Sequence, residues 1–220
     1  MILSPFARDL IMKPKKFNID CVSDLHGFQP PLAGGDILII AGDLTARDTK
    51  EEYARFMVWL SKQSYRCKIV IGGNHDGLLE KGKVVIEGPN IHYLCDSRVD
   101  FEGLKIWGSP WTPTFLNWYF MKDRGMPIKE KWDLIPPDID ILVTHGPPQG
   151  IFDKTREGIC AGCEDLRKTV QERVKPRIHC FGHIHEQGGK SITIDSTTFV
   201  NASIVDEYYR HVHKPIRLDF

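Results

Sequence analysis

The sequence has no net charge, no long apolar run and few cysteines, and each shortage closes off a class of function. Its 29 Lys and Arg are matched by 29 Asp and Glu. Proteins that track long nucleic acids neutralise many phosphates with a basic surface, so no extended nucleic acid is expected and any nucleotide partner is small or held locally. No stretch stays apolar for the ~20 residues that cross a bilayer, so no membrane partner is expected either. The opening MILSPFARDLIMKPKK is a poor secretion signal, its apolar runs broken by Pro5, Arg8 and Asp9. The six cysteines, at 21, 67, 95, 160, 163 and 180, are scattered, several within apolar runs, which suits reduced thiols and a cytoplasmic location.

Two apparent motifs also fall short. Cys160-Ala161-Gly162-Cys163 has the spacing of half a zinc site. No second pair supplies the rest of the ~4 ligands that a structural zinc needs, so the pair reads as loop thiols. Gly188-Gly189-Lys190-Ser191 resembles the end of a phosphate-binding loop, but the position five before Gly189 is Ile184 rather than glycine. Repeats, low-complexity tracts and linkers are absent, so the 220 residues are expected to form one domain over 17–220, with an N-terminal extension over 1–16.

What is present is a series of short apolar runs that read as buried strands: 17–23, 36–42, 66–73, 104–109, 138–144, 177–182 and 197–203. Helical spacing puts Tyr53, Phe56, Met57 and Leu60 on one face of a helix over 50–64, and a second helix over 164–174 is ended by Pro176. Alternating strands and helices, then a strand-rich second half, predict an α/β fold: a two-sheet β-sandwich flanked by helices. The segment from Trp107 to Trp132 holds four of the five tryptophans with little periodicity. It reads as a long excursion from the core, either stacking a substrate base or covering an edge of the sandwich.

Five of these runs end, within a few residues, in groups able to bind metal or move protons. Asp24 and His26 follow the first, Asp43 the second, Asn74 and His75 the third, His145 the run over 138–144, and His183 and His185 the run over 177–182. The carboxyl ends of parallel strands form one rim, where sites assemble. Aspartate, carboxamide and imidazole together suit Mn, Fe, Zn, Ni or Co better than Ca or Mg. Glycines at 42, 72, 73 and 182 allow the tight turns that aim the next side chain over a strand end. His92 and His179 sit within apolar runs and read as core or sheet positions, while His211 and His213 read as one solvated strand face.

The series Asp24-x-His26, Gly42-Asp43, Gly73-Asn74-His75-Asp76, Thr144-His145-Gly146 and Gly182-His183-x-His185 resembles the calcineurin-like metallophosphoesterase superfamily. Gly42-Asp43-Leu44-Thr45, Gly108-Ser109-Pro110-Trp111, Thr144-His145-Gly146-Pro147-Pro148 and Val200-Asn201-Ala202-Ser203 narrow the resemblance to its metallophosphoesterase-domain-containing subgroup, some of whose members are described as phosphodiesterases. The resemblance implies an α-β-β-α sandwich and two divalent transition-metal ions, manganese first among them. It implies hydrolysis by a metal-activated water of a small phosphate ester, a cyclic nucleotide among the candidates. It assigns Asp24, His26 and His185 to one metal, Asn74, His145 and His183 to the other, Asp43 to both, and His75 to the phosphoryl group as a catalytic non-ligand. Some close relatives carry glycine where this chain has His183, so both metal sites are expected to be complete here.

One departure concerns the superfamily's Ser/Thr phosphatases, in which a carboxylate three residues after the bridging aspartate orients the catalytic histidine. Here that position is Ala46, and the next carboxylate, Asp48, is the candidate to substitute for it. The Val-Asp-Arg-Gly pattern of those phosphatases is missing too, which argues against a phosphoprotein substrate. A phosphodiesterase is therefore expected. The alternatives are a phosphomonoesterase or nuclease of the same superfamily, or a scaffold that kept the fold without the chemistry.

Overall fold

Both faces of the central strands are apolar, and that dictates the layering. A computed structural model of the chain describes residues 16–220; the expected N-terminal extension lies outside them except for Lys16. In β2 (Gly35–Ala41) Ile37, Ile39 and Ala41 alternate with Leu38 and Ile40, and all five are buried. Strand side chains alternate with period two, so β2 needs apolar cover on both sides. One side meets a second sheet, where Ile37, Ile39 and Ile69 cluster with Ile106, Ile141, Val143 and Val200. The other meets helix α1 (Lys50–Ser61), whose Tyr53, Phe56 and Leu60 cluster with Leu38, Ile40 and Val70. A third cluster joins Leu142, Phe181 and Phe199 of the second sheet to Trp132, Leu166 and Val170. The result is the expected α/β sandwich of two sheets between helices, with each buried side chain of this size contributing ~1.5–3 kcal/mol.

The first sheet runs β13 (Ile216–Asp219), β1 (Asn18–Val22), β2, β3 (Tyr65–Ile71), β4 (Ile91–Tyr93). Strands β1 to β4 are parallel and β13 closes the edge antiparallel to β1. The second runs β11 (Lys190–Ile194), β12 (Thr197–Asn201), β10 (Ile178–Phe181), β9 (Ile141–Thr144), β6 (Leu104–Ser109), β5 (Ser97–Phe101). Its four inner strands are parallel, with an antiparallel strand at each edge. The sheets are stitched where β1 and β12 end: the Ser23 amide donates to the Ala202 carbonyl at 2.8 Å, and the Ile204 amide to the Ser23 carbonyl at 3.1 Å. Hence the carboxyl ends of both parallel arrays face one place. Among the described residues no helix is long and apolar enough to cross a membrane.

Several local expectations need correction. Helix α1 stops at Ser61 rather than Ser64, and Trp59 rather than Met57 completes its buried face. The second helix starts as α4 (Glu164–Lys168) but continues as π-helical turns over Thr169–Val174, ending on left-handed Lys175 before Pro176. Trp107 lies in β6 and Trp132 is fully buried in α3 (Met126–Asp133), so both belong to the core. What leaves the sheet lies between them and includes the short pair β7 (Thr112–Pro113) and β8 (Met121–Lys122). His211 and His213 are not on a strand: His211 packs against Phe28 with ring centroids 5.6 Å apart, and His213 borders Gly188 and Gly189.

Candidate metal centre

Each expected site residue stands just past a strand: Asp24 and His26 after β1, Asp43 after β2, Asn74 and His75 after β3, His145 after β9, and His183 and His185 after β10. Asp24, His26, Asp43 and His183 have φ of 54°, 41°, 52° and 69°, a left-handed backbone that costs non-glycine residues free energy and is tolerated where surrounding contacts hold it. These turns lift the side chains over the strand ends. They also need glycine beside them. At Gly42, with φ 96°, a Cβ would come within 2.6 Å of the Gly72 carbonyl and of His145 Nδ1. At Gly182 it would overlap the Ser23 hydroxyl and the Asp24 carboxylate.

The side chains converge across the junction of the two sheets. His26 Nε2 lies 3.3 Å from His185 Nε2 and 3.7 Å from Asp43 Oδ2, and His185 Nε2 lies 3.4 Å from Asp24 Oδ1. His145 Nε2 lies 2.9 Å from Asn74 Oδ1 and 3.3 Å from Asp43 Oδ1. Ligand atoms of Asp24, His26 and His185, of Asp24, Asp43 and His145, and of His26, Asp43 and His75 each lie within 4.8 Å of one another. His75 therefore joins one group although the resemblance makes it a non-ligand. The His183 ring is outside all three; its amide donates to both Asp24 carboxylate oxygens at 3.1 and 3.0 Å, and its ring meets that of His145 edge-on at 5.0 Å.

The donor set fits cations. His145 Nδ1 is 2.8 Å from the Ala41 carbonyl, an acceptor, so it carries the proton and the neutral ring keeps a lone pair on Nε2. That lone pair faces the oxygens of Asn74 and Asp43. The two Nε2 atoms of His26 and His185 face each other, and His26 Nδ1 is buried without a hydrogen-bond partner. Lone pairs crowded together in this way are what a bound cation reconciles.

Electrostatics agree. Burial opposes charge on Asp24, yet the hydrogen bond and charge of His185 hold its carboxyl well below the usual range. His145 does the same for Asp43 against that residue's burial. Burial also disfavours a proton on His145, but the charge and hydrogen bond of Asp43 raise its pKa to about 9, so a cation bound there would displace the Nε2 proton and restore the neutral ring. Burial pushes His26 down to about 4 and, with His145 beside it, His183 to about 3. The centre thus holds ionised carboxylates among imidazoles, two of which resist protonation.

Three neighbours carried no role in the sequence. Asp76, just before the short helix α2 (Gly77–Glu80), accepts from the amides of Gly73 at 2.9 Å and Leu44 at 3.1 Å and from the Tyr53 hydroxyl at 3.2 Å, clipping the loop after β3 to the loop after β2. Burial, then Asp43, raises its pKa to about 7. Its signal was its place in Gly73-Asn74-His75-Asp76. Trp118 stacks on His75 with centroids 4.4 Å apart, and Tyr209 meets His26 edge-on at 4.8 Å; no local pattern marks either. Asp48 does not take the missing carboxylate's place. It accepts from the Leu78 amide and the Tyr53 hydroxyl, while His75 Nδ1 faces the Ala46 carbonyl at 3.4 Å. Cys160 lines the cleft above the centre and Cys163 is buried before α4, both as free thiols.

Comparison with known proteins agrees with this geometry. The family model for calcineurin-like phosphoesterases matches residues 17–187. The metallophosphoesterase domain-containing protein 1 of Homo sapiens is 38% identical over 247 aligned residues, covering 99% of this chain and 75% of that protein, and the Mus musculus protein gives the same values. A UPF0046 protein of Caenorhabditis elegans is 35% identical, covering 99% of this chain and 85% of its own length. The crystal structure of a phosphopantetheinyl hydrolase from Mycobacterium tuberculosis shares the fold, with a TM-score of 0.53 and 12% identity over 87% of this chain and 90% of that one. The chain belongs to the calcineurin-like phosphoesterase family, and the family together with the candidate metal-binding groups at its strand ends supports a metal-dependent phosphoesterase.

Proposed function

We propose that residues 17–220 act as one domain that hydrolyses small phosphodiesters, a nucleotide diester among the candidates, at two divalent cations. In this reading Asp24, His26 and His185 hold one cation, Asn74, His145 and His183 hold the other, and Asp43 bridges them. Manganese leads a set that includes Fe, Zn, Ni and Co, in keeping with the mixed imidazole and oxygen donors. Bound there, the cations supply a polarised phosphoryl oxygen and an acidified water. The chain supplies the rest. Asp43 offsets the repulsion between the cations, Ala41 holds the His145 ring in orientation, and His75 donates a proton to the leaving oxygen. A cytoplasmic location is part of the same reading, supported by free thiols in the core at Cys21, Cys67 and Cys180.

One observation carries the diester preference: the cleft is poor in cations. Among the described residues Arg124 is the one Lys or Arg that lines it. Its guanidinium already donates to the carbonyls of Gly162 and Ala161, each at 2.8 Å, and pairs with Glu164. A phosphomonoester carries nearly two negative charges at neutral pH, and free guanidinium or ammonium groups are what hold such oxygens. A diester carries one. The test compares a bis-aryl phosphate with the matching aryl monoester on manganese-loaded protein. Higher kcat/KM for the diester is expected, and a monoester preferred about tenfold or more overturns the reading.

A further inference from the structure

The cleft that opens from the candidate centre has a volume of about 550 Å³, more than a phosphate needs. Phe115, Trp118 and Tyr209 stand along it half-exposed, an apolar wall for the ester groups. Besides Asp43 of the centre, three carboxylates line it: Glu157, Glu186 and Glu207. Glu186 accepts from the Arg156 amide at 2.8 Å. Glu157 and Glu207 are exposed and make no ion pair among the described residues.

Both sit in tight turns. Around Glu157 the Thr155 amide donates to the Ile159 carbonyl, and the Gly158 amide to the Thr155 carbonyl, each at 2.9 Å. Around Glu207 the Asp206 carboxylate accepts from the Tyr208 amide at 3.0 Å and the Arg210 amide at 2.9 Å. The two arginines of these segments lie over one aromatic ring. Arg210 pairs with Asp206 and lies 5.0 Å from the centroid of the Tyr208 ring, and Arg156 lies 5.5 Å from the same centroid. With Arg124 bound to backbone and to Glu164, no Lys or Arg among the described residues that line the cleft is left free for a substrate.

Resting on the diesterase reading, we infer that Glu157 and Glu207 set substrate charge. They admit phosphodiesters whose retained alcohol is neutral or cationic, and they reject those carrying a second anionic group such as another phosphate. The phosphoryl group itself is drawn to the centre. A remote anion meets two exposed carboxylates with no free Lys or Arg among the described lining residues to receive it, and near the protein surface that repulsion exceeds its value in bulk water until salt screens it.

Three p-nitrophenyl phosphodiesters test this, identical in leaving group and differing in the retained alcohol: choline, propanol, or a hydroxyalkyl sulfonate. On manganese-loaded protein, kcat/KM for the sulfonate ester should fall about tenfold below that for the choline ester, and the gap should narrow as salt shortens the screening length. In the double variant E157Q/E207Q the sulfonate-to-choline ratio should rise by about the same factor. Equal turnover of all three esters, or a ratio unmoved in the double variant, overturns the charge selection while leaving the diesterase reading intact. Absence of turnover on every ester overturns both.

Discussion

The His75 imidazole stacks on the Trp118 indole, with centroids 4.4 Å apart and planes inclined by 30°. Among the described residues no carboxylate hydrogen-bonds the ring; Nδ1 faces the Ala46 carbonyl at 3.4 Å. That carbonyl is itself held, because Glu52 accepts from the amides of Ala46, Arg47 and Thr49 while closing the capping box of α1. An aromatic face favours a cationic ring by ~0.5–2 kcal/mol. Trp118→Leu should therefore lower kcat on an alkyl diester by about 3- to 30-fold, with KM and metal content little changed, and Trp118→Phe should recover most of the loss. A rise in KM at unchanged kcat would instead make Trp118 a substrate contact.

Asp43 and His75 should fail in different ways. The Asp43 carboxylate reaches both His145 and His26, so Asp43→Asn should lower metal content and activity together. His75→Ala should keep both ions and slow the chemical step by ~10²–10⁴-fold, least for esters with good leaving groups. Elemental analysis alongside single-turnover rates separates the two. Loss of an ion from His75→Ala would make His75 a ligand, as its proximity to His26 and Asp43 allows.

Gly182 tests how tightly the two sheets close on the centre. A Cβ there would overlap the Ser23 hydroxyl and the Asp24 carboxylate, and Ser23 is pinned to the Ala41 carbonyl at 3.0 Å. Gly182→Ala should displace Asp24, reduce the ions bound per chain and destabilise the fold by ~1–3 kcal/mol. Metal analysis and thermal unfolding check it. Wild-type metal content and Tm would show that the strand ends can part without cost.

His179 should make the protein acid-sensitive. The Thr144 hydroxyl donates to the Gly146 carbonyl at 2.8 Å, so it receives its second bond, also 2.8 Å, from His179 Nε2. Nδ1 is buried without a partner, and burial pushes the pKa down to about 3. The unfolded chain takes up this proton near pH ~6.5 and the folded chain does not. Stability is therefore present in full above ~6.5 and lost as pH falls towards about 3. By pH ~5 the loss from this group is ~2 kcal/mol. Urea midpoints for wild type and His179→Gln at both pH values check it; equal acid losses would mean that His179 is protonated in the fold.

The strand ends were legible because their signals are local. Apolar runs such as 36–42, followed by Gly42-Asp43, carry both the strand and its exit within a few residues. Asp48 misled for the opposite reason. Sequence puts it two residues beyond Ala46, but its left-handed backbone, with φ of 54°, accompanies a side chain bound to Leu78 and Tyr53. The tryptophans of the 107–132 segment divided in the same way. Trp107 and Trp132 follow the packing of β6 and α3, while Trp118 lies where the return of the loop leaves it, against His75.

The sequence by itself determined which groups are available: a candidate metal-binding set of aspartates, histidines and one asparagine, each placed just past a strand by an apolar run and a turn. Only the tertiary structure decided how they meet. His26 and His185 are 159 residues apart in the chain yet have Nε2 atoms 3.3 Å apart, because β1 and β10 lie in different sheets joined end to end at Ser23 and Ser203. The stacking partner of His75 and the unpaired carboxylates of the cleft were likewise decided by loop packing. Such contacts depend on how separate layers dock, and docking is a property of whole buried faces rather than of any short run of residues.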